Sequence, residues 1–270
     1  MLYSLDINGF VVNEASLDKV SHEYHPLIDS VVNSLQKKLP DKLHSIYIRG
    51  SVSVGRAKSN ISDLDVVTIL HDTLTGDEAR WRTSLSKTLG VQYPFVTLVD
   101  LTCITKEELF RAEEYRRLRV YLATQSVCIY GESILDSLEK VKPNRKLSLE
   151  MYEGLNIELK ELSEYFLNPL STKSYLGEVQ PAEFWCVWTM RTLLRSGLGL
   201  VMFSRPVYSQ DLPTCYEEFS NEFPEHEGEM KKALVWAHTP TNDKNEISEF
   251  LQEFLPKYLL RRSDLRRNAK

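Results

Sequence analysis

The 270-residue chain has no long apolar run, no Cys-x-x-Cys pair and no excess of positive charge. Its longest membrane candidate, GLGLVMF at 197–203, falls far short of the roughly 20 apolar residues that a bilayer-spanning helix needs. No membrane partner is therefore expected. The opening MLYSLDINGFVV has no basic start and no extended apolar stretch, so it does not read as a secretory signal. Only four cysteines occur, Cys103, Cys128, Cys186 and Cys215. None sits at a metal-ligand spacing from another cysteine or a histidine, so they read as reduced structural thiols and no zinc site is expected. A formal net charge of −5 excludes a general nucleic-acid coat, though it leaves room for a local basic patch. Repeats and low-complexity tracts are also missing. A cytoplasmic protein with one large or two smaller domains is the expectation.

What is present divides into two halves. Asn8-Gly9 suggests a small N-terminal hairpin. Pro26 opens a helix whose stripe is Leu27, Val31, Leu35 and Leu39, stopped by Pro40. HSIYIR (44–49), DVVTIL (65–70) and FVTLVDLTCI (95–104) read as strands. Thr75 with Glu78, and Thr105 with Glu108, have the spacing of capping boxes that start helices, and Gly90 suits the end of the first of them. SVCIYG, ending at Gly131, adds a strand. KVKPNRK (140–146) is charged, contains proline and lacks periodicity, which places a domain boundary there. Beyond it the pattern is helical throughout, with Met151, Leu155, Leu159, Leu162 and Phe166 as the first stripe. Further helices are expected over 182–196, 212–222, 225–237 and 243–262. The fold class expected is α+β: residues 1–140 as a mixed sheet with flanking helices, residues 146–270 as an all-α bundle.

Chemistry concentrates in RGSVSVGRAKSNISDLDVVTIL, residues 49–70. Alternate residues of a strand share a face, so Asp63 and Asp65 project together while Leu64 points to the core. Two adjacent carboxylates raise each other's pKa unless a cation lies between them. A hard divalent ion such as Mg²⁺ suits an oxygen-only donor set combined with substrate phosphates. Asp100 supplies a third carboxylate from inside an otherwise apolar strand. Gly50 lets backbone approach a ligand, and Ser51 offers a hydroxyl and an N–H at a candidate helix start, where an anion is favoured. Gly55 keeps the next turn compact, and Arg56 or Lys58 offers positive charge to phosphate oxygens. A paired-aspartate motif alone is more often a solvated strand end. The ordered set of strand, Gly-Ser turn, paired aspartates and a carboxylate in a third strand points to a nucleotide–metal site.

GSVSVG (50–55), SDLDVV (62–67) and LVDLT (98–102) resemble the DNA polymerase β-type nucleotidyltransferase superfamily. The resemblance covers roughly the N-terminal half. It implies that Gly50 and Ser51 hold the triphosphate, that Asp63 and Asp65 hold two Mg²⁺ ions, and that Asp100 completes the catalytic metal site. With a helical second half, the layout is similar to the aminoglycoside adenylyltransferases of the streptomycin/spectinomycin type. That resemblance implies a phosphate contact from Arg191, for which a snorkelling helix-surface role is the alternative. The chain departs from the group at Asp100, where the group carries glutamate. It departs again around Gln210, where the group carries a phosphate-contacting lysine that Arg205 could replace.

The implied reaction moves a nucleoside monophosphate, AMP from ATP by default, onto a hydroxyl of a small-molecule acceptor and releases pyrophosphate. Asp100 is the candidate general base. The acceptor is expected between the domains. From Lys146 to Pro256, eighteen acidic residues stand against nine basic ones, a balance that would attract a cationic acceptor or simply solvate helix faces. Trp185 and Trp188 suit either a stacking surface or the core. The alternatives are a protein or tRNA acceptor in a toxin–antitoxin-like system, favoured only by the basic RRSDLRR at 261–267, and a non-catalytic nucleotide-binding regulator. Sequence sets no oligomeric state.

Overall fold

In the computed structural model the described residues are 1–175 and 177–267, without the side chains of 152–156 and 259–267. The chain forms two compact units, one of Val11–Val141 and one of Lys142–Lys270 joined by Met1–Phe10. The first ten residues belong with the helical unit because the Tyr3 N–H donates to the Tyr208 carbonyl at 2.9 Å and the two rings meet edge to face at 5.5 Å. The expected Asn8-Gly9 reversal is there as a turn. Asp6 accepts from Gly9 through its backbone, and from the Asn8 and Phe10 N–H groups through its carboxylate.

The Val11–Val141 unit is built on strands β1 (Leu43–Arg49), β2 (Leu64–Leu70), β3 (Val99–Thr105) and β4 (Ser126–Gly131). They form one sheet in the order β3-β2-β1-β4. The pair β2/β3 is parallel, whereas β1 runs antiparallel to both β2 and β4. The parallel pair needs a crossover, supplied by helix α2 (Gly76–Gln92). Thr75 and Glu78 form the complete capping box at its start. Gly90 does not end it. The helix runs on to Gln92, because Gly90 has ordinary helical backbone and the carbonyl of Leu89 still accepts from Tyr93. Helix α1 (His25–Lys38) buries Leu27, Ile28, Val31 and Leu35. These side chains join Leu64, Val66, Val99 and Leu101 on one face of the sheet.

The opposite face carries Tyr47, Val67, Ile69 and Ile104. They pack on Leu109 of α3 (Lys106–Arg111, started by the Thr105/Glu108 capping box) and Leu122 of α4 (Arg116–Gln125). Strand β3 starts at Val99, four residues later than the apolar run suggests. Residues 95–98 bond irregularly to the turn before β2: the Phe95 carbonyl accepts from Asn60 N–H at 2.7 Å, Thr97 N–H donates to the Ser62 carbonyl at 3.1 Å and the Leu98 carbonyl accepts from Leu64 N–H at 2.8 Å, while Val96 N–H closes a turn on Tyr93.

The second unit is helical: α5 (Arg145–Leu167), α6 (Ala182–Val201), α7 (Leu212–Glu222), α8 (Glu227–His238) and α9 (Lys244–Arg267). Helix α6 is buried on nearly every side over its second half, Arg195 apart, and packs against α5, α7, α8 and α9. Gly197 permits the closest approach, since a Cβ there would fall 2.6 Å from Met230 Cε of α8. A short antiparallel pair, β5 (Ser174–Tyr175) and β6 (Glu178–Val179), interrupts the helical pattern. Of the expected α5 stripe, Met151, Leu159, Leu162 and Phe166 are buried. The side chains of Leu155 and of Arg261–Arg267 lie outside the described residues. Among the described residues no helix is long and apolar enough to cross a membrane.

Candidate active site

The sheet's alternation decides where the charges go. Arg49, Asp65 and Asp100 stand in one row across β1, β2 and β3, each the register partner of the next. They lie on the face that carries Tyr47, Val67 and Ile69, at the end of the sheet where that apolar cluster stops. Leu64 and Val66 turn to the other face and are buried, as the strand period requires. Asp63 immediately precedes β2.

The Gly-Ser segment is a chain of turns over 50–55 and not the start of a helix. Gly50 has φ +77° and its N–H donates to the Gln125 carbonyl at 3.1 Å. The Ser53 hydroxyl lies 2.7 Å from the same carbonyl and 3.0 Å from the Gly50 carbonyl. The end of α4 thus holds the turn in place. Val54 N–H returns to Gly50 and Arg56 N–H to Ser51, whereas the N–H groups of Ser51, Val52 and Ser53 take no acceptor among the described residues. Three successive amides of this kind form a concave donor set suited to an anion. A Cβ at Gly50 would lie 2.8 Å from Asp65 Oδ2, so the bare backbone is what lets the turn sit against the carboxylate.

The expected phosphate cation Arg56 has Glu14 as a neighbour, with Nη2 and Oε2 at 3.4 Å. Lys58 uses its N–H to hold the Ser62 hydroxyl. Arg191 lies half-buried on α6. Arg205, the candidate substitute for a phosphate lysine, pairs instead with Glu218 at 2.6 Å. Trp185 is core, 4% exposed, with its indole N–H on the Lys173 carbonyl; Trp188 is half-buried and donates to Glu158.

Sequence reasoning passed over Arg49. Its Nη2 lies 2.6 Å from Asp65 Oδ1, and the two side chains are 19% and 16% exposed. The guanidinium carbon lies 5.3 Å from the centroid of the Tyr121 ring. Burial by itself would depress the guanidinium's pKa; Asp65, then Asp100, Tyr121 and Asp63, overcome this and raise it above the ordinary value. The available signal was a lone charge ending the apolar run IYIR, directly before Gly50. Tyr24, fully buried near Asp63, has its phenol pushed up to about 12, first by burial and then by Glu23 and Asp63.

An oxygen-only set of three aspartates has the donor chemistry that Mg²⁺ requires. In the present arrangement, however, no three His, Cys, Asp or Glu side chains are gathered closely enough to hold an ion, among the described residues. One Asp65 oxygen is on Arg49.

The four-stranded mixed sheet with flanking helices, followed by a helical region, is an α+β arrangement shared with solved structures. Among solved structures, a spectinomycin adenyltransferase, AAD(9) from Enterococcus faecialis with ATP and spectinomycin, matches 84% of this chain and 99% of its own. The TM-score is 0.50 at 17% identity, a likeness of fold. A toxin–antitoxin with AMP-PNP is similar over 55% of this chain and 100% of its own (20% identity, TM-score 0.30). The toxin–antitoxin MntA-HepT is similar over 53% and 98% (19% identity, TM-score 0.27). No family model and no curated protein matches the sequence.

Proposed function

We propose that the chain is a nucleotidyltransferase that moves a nucleoside monophosphate, AMP from ATP, to a hydroxyl of a small-molecule acceptor and releases pyrophosphate. One observation carries the reading: a turn of bare amides at 51–53, built on Gly50, sits against a carboxylate that is the register partner of a second one. On this reading, phosphate donors and cation ligands meet at one sheet end. The fold shared with an adenyltransferase crystallised with ATP and spectinomycin supports the same reaction class.

In this mechanism the amides of Ser51, Val52 and Ser53 and the Ser51 hydroxyl bind the triphosphate, and Arg56 adds positive charge. Asp63, Asp65 and Asp100 would hold Mg²⁺, two ions in all, which supply charge neutralisation at the phosphates and acidify the acceptor hydroxyl. Asp100 takes the proton from that hydroxyl as general base. The acceptor oxygen then forms a bond to the α-phosphorus as the bond to pyrophosphate breaks. Arg191 is the further nucleotide-phosphate contact of this mechanism.

The test is thermal stabilisation by ATP, GTP, CTP and UTP, each with and without Mg²⁺, for wild type and Asp65→Asn. A ligand at about 100 times its Kd stabilises the folded state by about 2.7 kcal/mol. A Mg²⁺-dependent rise of several degrees with ATP, lost in the variant, is expected. Equal shifts in both proteins would refute the assignment of Asp65.

A further inference from the structure

The row Arg49–Asp65–Asp100 contains a cation already. Arg49 is the register partner of Asp65, and Asp65 of Asp100, so the guanidinium extends the line of carboxylates at one end. Its Nη2 binds Asp65 Oδ1 at 2.6 Å in a largely buried setting. The other carboxylate oxygen of Asp65, Oδ2, lies against Gly50. Asp65 is therefore wedged between the guanidinium and the phosphate turn. Arg49 Nε is buried and has no hydrogen-bond partner among the described residues, and Tyr121 flanks the group at 5.3 Å. Clustered carboxylates that are partly withdrawn from water need a compensating cation to stay ionised. With Asp65 Oδ1 occupied by Arg49, the three aspartates do not form a cation cage as they stand.

We propose that Arg49 is a positioning residue that stands in for the divalent cation in the nucleotide-free enzyme, and that it must release Asp65 Oδ1 for the cation to take its place. The proposal rests on the aspartates being the cation ligands. Arg49 then serves two ends. It holds Asp65 in an ionised, oriented form before substrate arrives, and it keeps free Mg²⁺ from binding tightly until a triphosphate brings additional oxygen ligands. Removing the guanidinium ends the competition and adds one unit of net negative charge to the site. Both effects tighten cation binding, so the direction is unambiguous. The released guanidinium, with Nε already unpartnered, is then available to an anionic oxygen.

The experiment measures Mn²⁺ binding to the full chain without nucleotide, by loss of the free-ion EPR signal, for wild type, Arg49→Gln and Arg49→Lys. Arg49→Gln should bind Mn²⁺ about tenfold tighter or more, a change of about 1.4 kcal/mol. Its melting temperature should fall without metal and recover on adding Mn²⁺. Arg49→Lys, which keeps the charge, should stay within about threefold of wild type. Unchanged or weaker Mn²⁺ affinity in folded Arg49→Gln would overturn the proposal while leaving the carboxylate assignment intact. Binding of Mn²⁺ to neither protein at millimolar concentration would overturn both. If Arg49→Gln fails to fold, the wild type still decides. The ¹⁵Nε–¹H resonance of Arg49, assigned by its loss in Arg49→Lys, should move on titration with Mg²⁺ and not with Na⁺ at equal ionic strength. A resonance indifferent to Mg²⁺ at concentrations that load the site would refute displacement.

Discussion

Gly50→Ala is a sharp test of the site's construction, because two costs fall on one methyl group. The backbone there has φ +77°, a left-handed conformation that costs an L-residue with a Cβ about 1–2 kcal/mol. The new Cβ would lie 2.8 Å from Asp65 Oδ2, a distance that real Cβ atoms do not tolerate. Relief requires Asp65 to turn, which strains or breaks its 2.6 Å bond to Arg49. Losing a hydrogen bond between charged groups costs about 1.5–3 kcal/mol. The expected destabilisation is about 3 kcal/mol, or a fall in Tm of about 6–12 °C for a chain of this size. Gly90→Ala is the matched control. It lies inside α2, and nothing lies within 4 Å of the added Cβ. It should stabilise by about 0.4–1 kcal/mol, because alanine has less freedom to lose in a helix. Thermal melts and urea denaturation of both variants read the two signs. A double variant adding Asp65→Ala isolates the clash, since removing the carboxylate should make the second substitution cheaper than the sum. A Gly50→Ala protein melting within about 1 °C of wild type would refute the close approach of turn and carboxylate.

Other substitutions read other layers of the structure. Tyr47 accepts the Ile134 N–H at 2.7 Å in a buried setting, so Tyr47→Phe orphans that donor and should cost about 1–3 kcal/mol in urea denaturation. A change below about 0.5 kcal/mol would show that the N–H finds another acceptor. Glu78 is held down to about 2 by its hydrogen bond to Lys42 and by the capping bonds of Thr75. A carboxylate with a depressed folded-state pKa stabilises above its ordinary value near 4.5 and loses that contribution as pH falls toward 2. Melting curves of wild type and Glu78→Gln should therefore differ most at pH 6 and converge as pH approaches 2; a constant gap would refute the linkage. Thr105→Ala removes the N-cap of α3 and should cost about 1 kcal/mol, with a stability change near zero ruling the cap out.

The elements that sequence made legible are those whose local chemistry and tertiary role agree. Both capping boxes formed because Thr75/Glu78 and Thr105/Glu108 satisfy N–H groups that any helix start leaves open, whatever packs around them. The strands β1, β2 and β4 fall where apolar runs end in Gly or Asp. Errors arise where a long-range partner overrules a local pattern. Residues 95–98 are as apolar as the strand that follows, yet they stay out of the regular ladder because the segment opposite them, 60–63, is a turn, to which Phe95 and Thr97 bond irregularly. Gly90 looks like a helix end, yet the helix continues to Gln92. The Gly-Ser turn reads as a helix start, but Gln125 of α4, some seventy residues away in sequence, pins it as a series of turns.

Arg49 shows the same limit at the level of chemistry. The paired aspartates stand out because two like charges in three residues are conspicuous along the chain. A single arginine at a strand end is not conspicuous, and its meaning depends on register. Only when β1 is laid antiparallel on β2, and β3 parallel on the other side, do residues 49, 65 and 100 align in one row. A one-residue slip of β1 would send Arg49 to the face that Ile46 and Ile48 now fill, turn those isoleucines onto the charged row's face and leave the carboxylates without their cation. The register that buries the isoleucines is therefore the same register that assembles the charged row, and any change that loosens the core face should be felt at the site.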